Sequence, residues 1–223
     1  MKPKTPTKAL IFDMDGTMID NMMVHHRAWQ QQLSIEGFNY SLAEIIEHFH
    51  GKNLEIIERI FGEKYTPEER LRFSNDKETK YREIYRPDLK LVDGLHELLA
   101  IAYENDIPMG IGTAAQYANV DMVLDALNIR NYFGAIVADI DVKKGKPDPE
   151  VFLTVASKLN VLPEHCLVFE DSPVGAKTAE NAGMKAIMIT TTHKEHEFLN
   201  YKSIIKCISN YNEIDILREL AYL

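Results

Sequence analysis

Six short apolar runs punctuate the chain: Ala9-Leu-Ile-Phe12, Pro108-Met-Gly-Ile-Gly-Thr113, Ala135-Ile-Val-Ala138, Cys166-Leu-Val-Phe169, Lys185-Ala-Ile-Met-Ile-Thr190 and Ser203-Ile-Ile-Lys-Cys-Ile208. They are continuous rather than alternating, the pattern of strands buried on both faces of a parallel sheet. Helical patterns lie between them, at Gly94 to Asn105, Gln116 to Leu127, Pro149 to Leu159 and Pro173 to Ala182. Strand and helix therefore alternate as in repeated βαβ units.

Residues 21–88 break that rhythm. Leu42, Ile45, Ile46 and Phe49 mark one face of a helix, at i, i+3, i+4 and i+7. Thr66-Pro-Glu-Glu69 reads as an N-cap, a Pro at N1 and a capping-box Glu, opening a long helix through Tyr81 and Tyr85 that Arg86-Pro87 ends. Asp20 is expected to cap the first helix of this segment. The predicted fold is an α/β, Rossmann-like parallel sheet core of residues 1–20 and 89–223 with an inserted α-helical cap of residues 21–88. In such sheets ligands sit at the carboxyl ends of the strands, and an insert after the first strand is placed to cover that end.

Composition narrows the partners. The 223 residues carry a formal net charge of −9, which disfavours a nucleic-acid backbone, and no basic stripe offsets it. No apolar run approaches 18 residues, so a membrane span is not expected. The opening Met-Lys-Pro-Lys-Thr-Pro-Thr-Lys8 has no long apolar run behind it, unlike a secretory signal. Cys166 and Cys207 sit in apolar stretches and read as buried thiols of a reducing compartment. No heptad repeat asks for a partner helix, so a cytoplasmic monomer is expected.

The strand ends carry the chemistry. Asp13 and Asp15 follow the first strand, two residues apart, so both carboxylates can face one crevice, and Gly16 lets the chain turn behind them. Crowded carboxylates need a cation or a retained proton, and a hard ion such as Mg²⁺ suits oxygen donors. Thr113 closes the second run and offers a hydroxyl and nearby amides, including that of Ala114. Lys146 lies in Lys143-Lys-Gly-Lys-Pro-Asp-Pro149, and Glu170 and Asp171 end the fourth run. Together these groups form a site for a phosphate and its metal.

The set Asp13-Met-Asp-Gly-Thr17, Thr113, Gly145-Lys-Pro-Asp148 and Glu170-Asp-Ser172 resembles the four motifs of the haloacid dehalogenase superfamily, in order and spacing. Asp20, His25 and Ala28-Trp29 resemble its β-phosphoglucomutase-like branch, which carries a helical cap between the first two motifs. The resemblance implies Asp13 as nucleophile, Asp15 as acid/base, and Thr113 and Lys146 as holders of the phosphoryl oxygens. It also implies Mg²⁺ on Asp13, the Asp15 carbonyl and Asp171, with Glu170 in or beside the shell. In the cap, His25, Lys52 and Lys77 become candidate substrate contacts, Lys52 within the loop His50-Gly-Lys-Asn53. His25 also reads as a packing residue, and Lys77 as part of a solvated face with Asp76, Glu78 and Lys80.

The implied activity is Mg²⁺-dependent hydrolysis of a small phosphorylated metabolite, such as a sugar phosphate. A β-phosphoglucomutase shares every core residue. Its distal-phosphate Arg would fall at Leu54 and its post-motif Lys at Gln116, and neither departure favours that alternative. A non-catalytic phosphometabolite-binding protein would not need both Asp13 and Asp15.

Overall fold

The computed structural model describes residues 7–49 and 51–221; residues 1–6, His50 and residues 222–223 lie outside the described residues. The chain divides into two compact units, Met1–Asp20 with Lys90–Leu223, and Asn21–Leu89.

The first unit is built on six strands: β1 Ala9–Phe12, β2 Met109–Gly112, β3 Ala135–Val137, β4 Cys166–Glu170, β5 Lys185–Ile189 and β6 Ile204–Ile208. They form one parallel sheet in the order β3-β2-β1-β4-β5-β6. β1 is flanked on both sides, so Ala9, Leu10, Ile11 and Phe12 are fully buried, as the continuous apolar run requires. Register puts Phe12 beside Phe169 of β4, and the two rings stack with centroids 4.8 Å apart. Val151, Phe152 and Val155 fill one side of the core with Ile11 and Val168.

Among the described residues the second unit holds four α-helices, α1 Met22–Ile35, α2 Leu42–His48, α3 Asn53–Phe61 and α4 Pro67–Tyr85. The remaining five belong to the first unit: α5 Leu95–Glu104, α6 Tyr117–Ala126, α7 Glu150–Leu159, α8 Pro173–Asn181 and α9 Ile216–Leu220. α4 starts where the capping box places it: Thr66 Oγ1 accepts from the Glu69 N–H and the Thr66 N–H donates to Glu69. α1 departs from expectation. Asn21, not Asp20, is its N-cap residue, and Asn21 spends its amide on the Tyr81 hydroxyl at 2.6 Å instead of on the helix end. Trp29, Leu33, Ile45, Ile57 and Phe73 form a core belonging to these helices. No described helix is long and apolar enough to cross a membrane.

Within the first unit, the chain leaving toward the insert and the chain returning from it meet directly, the Val92 N–H donating to the Met18 carbonyl at 2.9 Å.

Candidate active site

Every sequence-derived candidate of the first unit follows a strand at the same end of the sheet, because parallel strands all exit together. β1 delivers Asp13, whose N–H donates to the Phe169 carbonyl at 3.0 Å, so its backbone continues the β1–β4 ladder. Asp15 and Gly16 follow in a turn where Gly16 has φ +79° and its N–H donates to the Ile19 carbonyl. A Cβ at Gly16 would collide with the Asp171 carboxylate, so glycine is required both for the turn and for the approach of Asp171.

Lys146 comes from the loop between β3 and α7. Its ammonium forks between Asp13 Oδ1 and Glu170 Oε1, each at 2.6 Å, and stands 4.8 Å from the centroid of the Phe152 ring. Glu170 is saturated on its other oxygen, which accepts from the N–H groups of Asp171 and Ser172 at 2.8 and 2.9 Å and from Ser172 Oγ at 3.0 Å. Ser172 is also the N-cap of α8, accepting from the Gly175 N–H. A side chain at 175 would overlap Glu170. Thr113 is buried after β2, its N–H on the Val137 carbonyl and its hydroxyl accepting from the Ala115 N–H at 3.1 Å. Ala114 beside it is exposed.

Asp13, Glu170 and Asp171 are all buried, with oxygens within 4.8 Å of one another. Three carboxylates thus share one ammonium. Burial pushes Asp13 up to about 7, Lys146 pulling it back and Glu170 adding to the rise. Burial drives Asp171 well above the ordinary carboxylate range, helped by the charges of Glu170 and Asp13. Glu170 is the exception: burial works against its charge, but Lys146 and Ser172 outweigh burial and hold it below its usual value. Lys146 stays charged for the matching reason, Asp13 and Glu170 outweighing its own desolvation. A cluster of three buried carboxylates matched by one ammonium fits a hard divalent cation with oxygen ligands.

Three residues beside the site were not foreseen. Thr191 Oγ1 donates to the Gly16 carbonyl, and Thr192 Oγ1 lies close beside Gly16, as the Asp171 carboxylate does. Tyr211, buried, donates to the Thr17 carbonyl at 3.1 Å, and burial with the charges of Asp13 and Asp171 pushes its phenol far up. Treating the β5 exit, Thr190-Thr-Thr192, like the other strand ends would have found the threonines. Nothing in the sequence marked Tyr211.

Two of the three candidates of the helical unit, His25 and Lys77, share one network. Lys77 is buried, not solvated, and donates to Glu78 at 2.7 Å and to His25 Nδ1 at 2.8 Å. An ammonium only donates, so Nδ1 of His25 accepts and the ring hydrogen sits on Nε2. The imidazole stacks on Tyr81 with centroids 3.8 Å apart. Asn53 closes the network, donating to Glu78 at 2.6 Å and Ser74 at 3.2 Å. Lys52 is the half-buried N-cap residue of α3.

Comparison with known proteins agrees with this geometry. A family model for haloacid dehalogenase-like hydrolases matches residues 7–183. The chain is 31% identical over 182 residues to the fructose-1-phosphate phosphatase YqaB of Escherichia coli, covering 80% of this chain and 94% of that one. It is 33% identical over 190 residues to β-phosphoglucomutase of Bacillus subtilis, covering 81% and 82%. The crystal structure of a family IA HAD hydrolase from Entamoeba histolytica superposes with a TM-score of 0.87 at 29% identity, over 96% of this chain and 98% of that one. With the motif carboxylates and Lys146 converging at the end of a parallel sheet, the chain belongs to the haloacid dehalogenase-like hydrolases.

Proposed function

We propose that this hydrolase is a Mg²⁺-dependent phosphatase of small phosphomonoesters, of the sugar-phosphate kind, that works through an aspartyl-phosphate on Asp13. The observation that carries the reading is the Lys146 ammonium forked between Asp13 and Glu170, with Asp171 in the same carboxylate cluster. The fructose-1-phosphate phosphatase relative supports the substrate class.

In this reading a carboxylate oxygen of Asp13 attacks phosphorus while the bond to the ester oxygen breaks, and Asp15 gives its proton to that leaving oxygen. Asp15 then takes a proton from water, whose oxygen attacks the phosphoaspartate; inorganic phosphate leaves and the Asp13 carboxylate is restored. Thr113, the Ala114 amide and Lys146 hold the phosphoryl oxygens, where donors aimed at developing charge count most. Asp13, the Asp15 carbonyl and Asp171 would hold Mg²⁺, with Glu170 beside them. When bound, the ion neutralises charge between the carboxylates and the phosphoryl group. Of the cap candidates, Lys52 is assigned to the rest of the substrate, whereas His25 and Lys77, bonded to one another inside the helical unit, keep the packing role. The compartment that goes with this reading is the cytoplasm, and the working species a monomer.

A phosphosugar mutase is the second reading, favoured by the B. subtilis relative. It ranks lower because Leu54, exposed at the second residue of α3, stands where a distal-phosphate arginine is expected.

The test is phosphate release from a panel of small sugar phosphates, with Mg²⁺ and with EDTA. Release that stops in EDTA and returns with Mg²⁺ is expected. Full turnover in EDTA would refute the reading. So would glucose 6-phosphate forming faster than free phosphate from β-glucose 1-phosphate and a trace of the 1,6-bisphosphate.

A further inference from the structure

Residues 143–149 form the loop that carries Lys146 into the site, and none of them is fully buried. Packing alone therefore does not fix the loop; hydrogen bonds do. Glu150, half-buried at the first position of α7, turns its carboxylate back onto it. Its Oε2 accepts from the N–H of Lys143 at 2.8 Å and from that of Lys144 at 3.0 Å. The Glu150 N–H donates to Asp148 Oδ1 at 3.1 Å, and the Asp148 N–H to the Gly145 carbonyl, also at 3.1 Å. A second tether comes from α8, whose last residue, Asn181, donates from Nδ2 to the Pro147 carbonyl at 2.9 Å. The N-cap of α8 is Ser172, which holds Glu170, so one helix serves both partners of the Lys146–Glu170 contact.

We propose that Glu150 is a positioning residue for Lys146, with Asn181 as the second anchor of the same loop. The inference rests on the phosphatase reading above, in which Lys146 holds the phosphoryl oxygens. A lysine side chain is a flexible four-carbon stem, so where its ammonium lands depends on where the backbone stands. Here the ammonium must reach Asp13 and Glu170 at 2.6 Å each. A carboxylate that takes two neighbouring N–H groups fixes both the place and the direction of the backbone entering the loop, and such charge-assisted bonds are stronger than neutral ones. Glu150 spends Oε2 on the loop and not on the amides of its own helix, so its contribution differs from that of a helix cap.

The experiment compares wild type with Glu150→Ala, with Glu150→Gln, which keeps an accepting oxygen, and with Asn181→Ala at an exposed position. Acetylation of Lys146 by acetic anhydride is followed by mass spectrometry on metal-free protein, and phosphate release from the sugar-phosphate panel is measured with Mg²⁺. The Lys146 side chain is 11% exposed, so slow labelling is expected in wild type. Both alanine variants are expected to label Lys146 faster while melting near wild type. Glu150→Ala is expected to lose roughly 100-fold in kcat/KM, the cost of misplacing a group by about 1 Å. Glu150→Gln is expected to stay close to wild type in both readouts. In a Lys146→Met background, Glu150→Ala should take nothing further from turnover, because it acts through the ammonium. Equal labelling of Lys146 in wild type and both alanine variants overturns the inference. So does a Glu150→Ala loss of the same size in the Lys146→Met background. A wild type that releases no phosphate from the panel overturns the phosphatase reading alone, and the labelling rates then decide whether Glu150 braces Lys146.

Discussion

Each unit of this protein buries one lysine beside a glutamate, and the two centres are balanced in opposite ways. Lys146 faces Asp13 and Glu170, with Asp171 close behind: three acids to one base. Lys77 faces one acid, Glu78, and its remaining partner is His25, while Asn53 donates to the same Glu78 oxygen that Lys77 reaches. Both ammonium groups lie over aromatic rings, Lys146 on Phe152 at 4.8 Å and Lys77 on Trp29 at 5.4 Å. The rings do not distinguish them; the charge count does. Buried ion pairs are costly to form and costlier to break, so a closed pair such as Lys77–Glu78 is a structural joint. A centre left with surplus negative charge is destabilised on its own and needs a ligand to finish it, which is how catalytic sites store affinity for cations and anions.

That contrast can be broken by mutation. The largest effect is expected from Asp13→Asn, which removes the oxygen proposed to attack phosphorus and also the charge of one of three crowded acids. Turnover should fall by roughly 10⁴-fold or more, while the metal-free protein keeps or gains melting temperature. A variant that lost stability in step with activity would show the carboxylate to be structural. Next comes Lys77→Met, which strands Glu78 without a counter-charge. A loss of about 3–5 kcal/mol in urea unfolding is expected, largely regained when Glu78→Gln is added, because the pair costs most when half of it remains. A single variant as stable as the double would mean that Glu78 finds water. The smallest effect is Asn53→Ala, which removes one donor to a charged acceptor and should cost about 1.5–3 kcal/mol by the same measurement.

The sequence was legible in proportion to how much each element used apolar periodicity. The sheet showed itself because β1, β2 and β4 are buried on both faces and end abruptly in polar residues. The carboxylates and Lys146 were legible because parallel strands all release their chains at one end. α4 was harder. Its ends were marked by Thr66 and Arg86, but its inward stripe runs Ser74, Lys77, Glu78, Tyr81 and Tyr85, mostly polar residues satisfying one another. Hydropathy alone reads such a stripe as a solvated face. Asp20 failed as a cap because the helix begins one residue later, with Asn21 at the N-cap position and its amide turned to Tyr81. The β5 threonines were missed because a hydroxyl at a strand exit has no distinctive spacing until its surroundings, the Ile208 and Gly16 carbonyls, are seen.

The hydrogen bond between Met18 and Val92 has an evolutionary consequence. Because departure and return are stitched together within the sheet-bearing unit, the segment between them behaves as a long excursion from one fixed point. Lengthening such an excursion costs little loop entropy, about 0.6 kcal/mol for each doubling. Its sequence can therefore be traded, enlarged or trimmed across lineages while strand register and the reacting carboxylates stay where they are. A scaffold with this anchorage can acquire new substrates without rebuilding its chemistry.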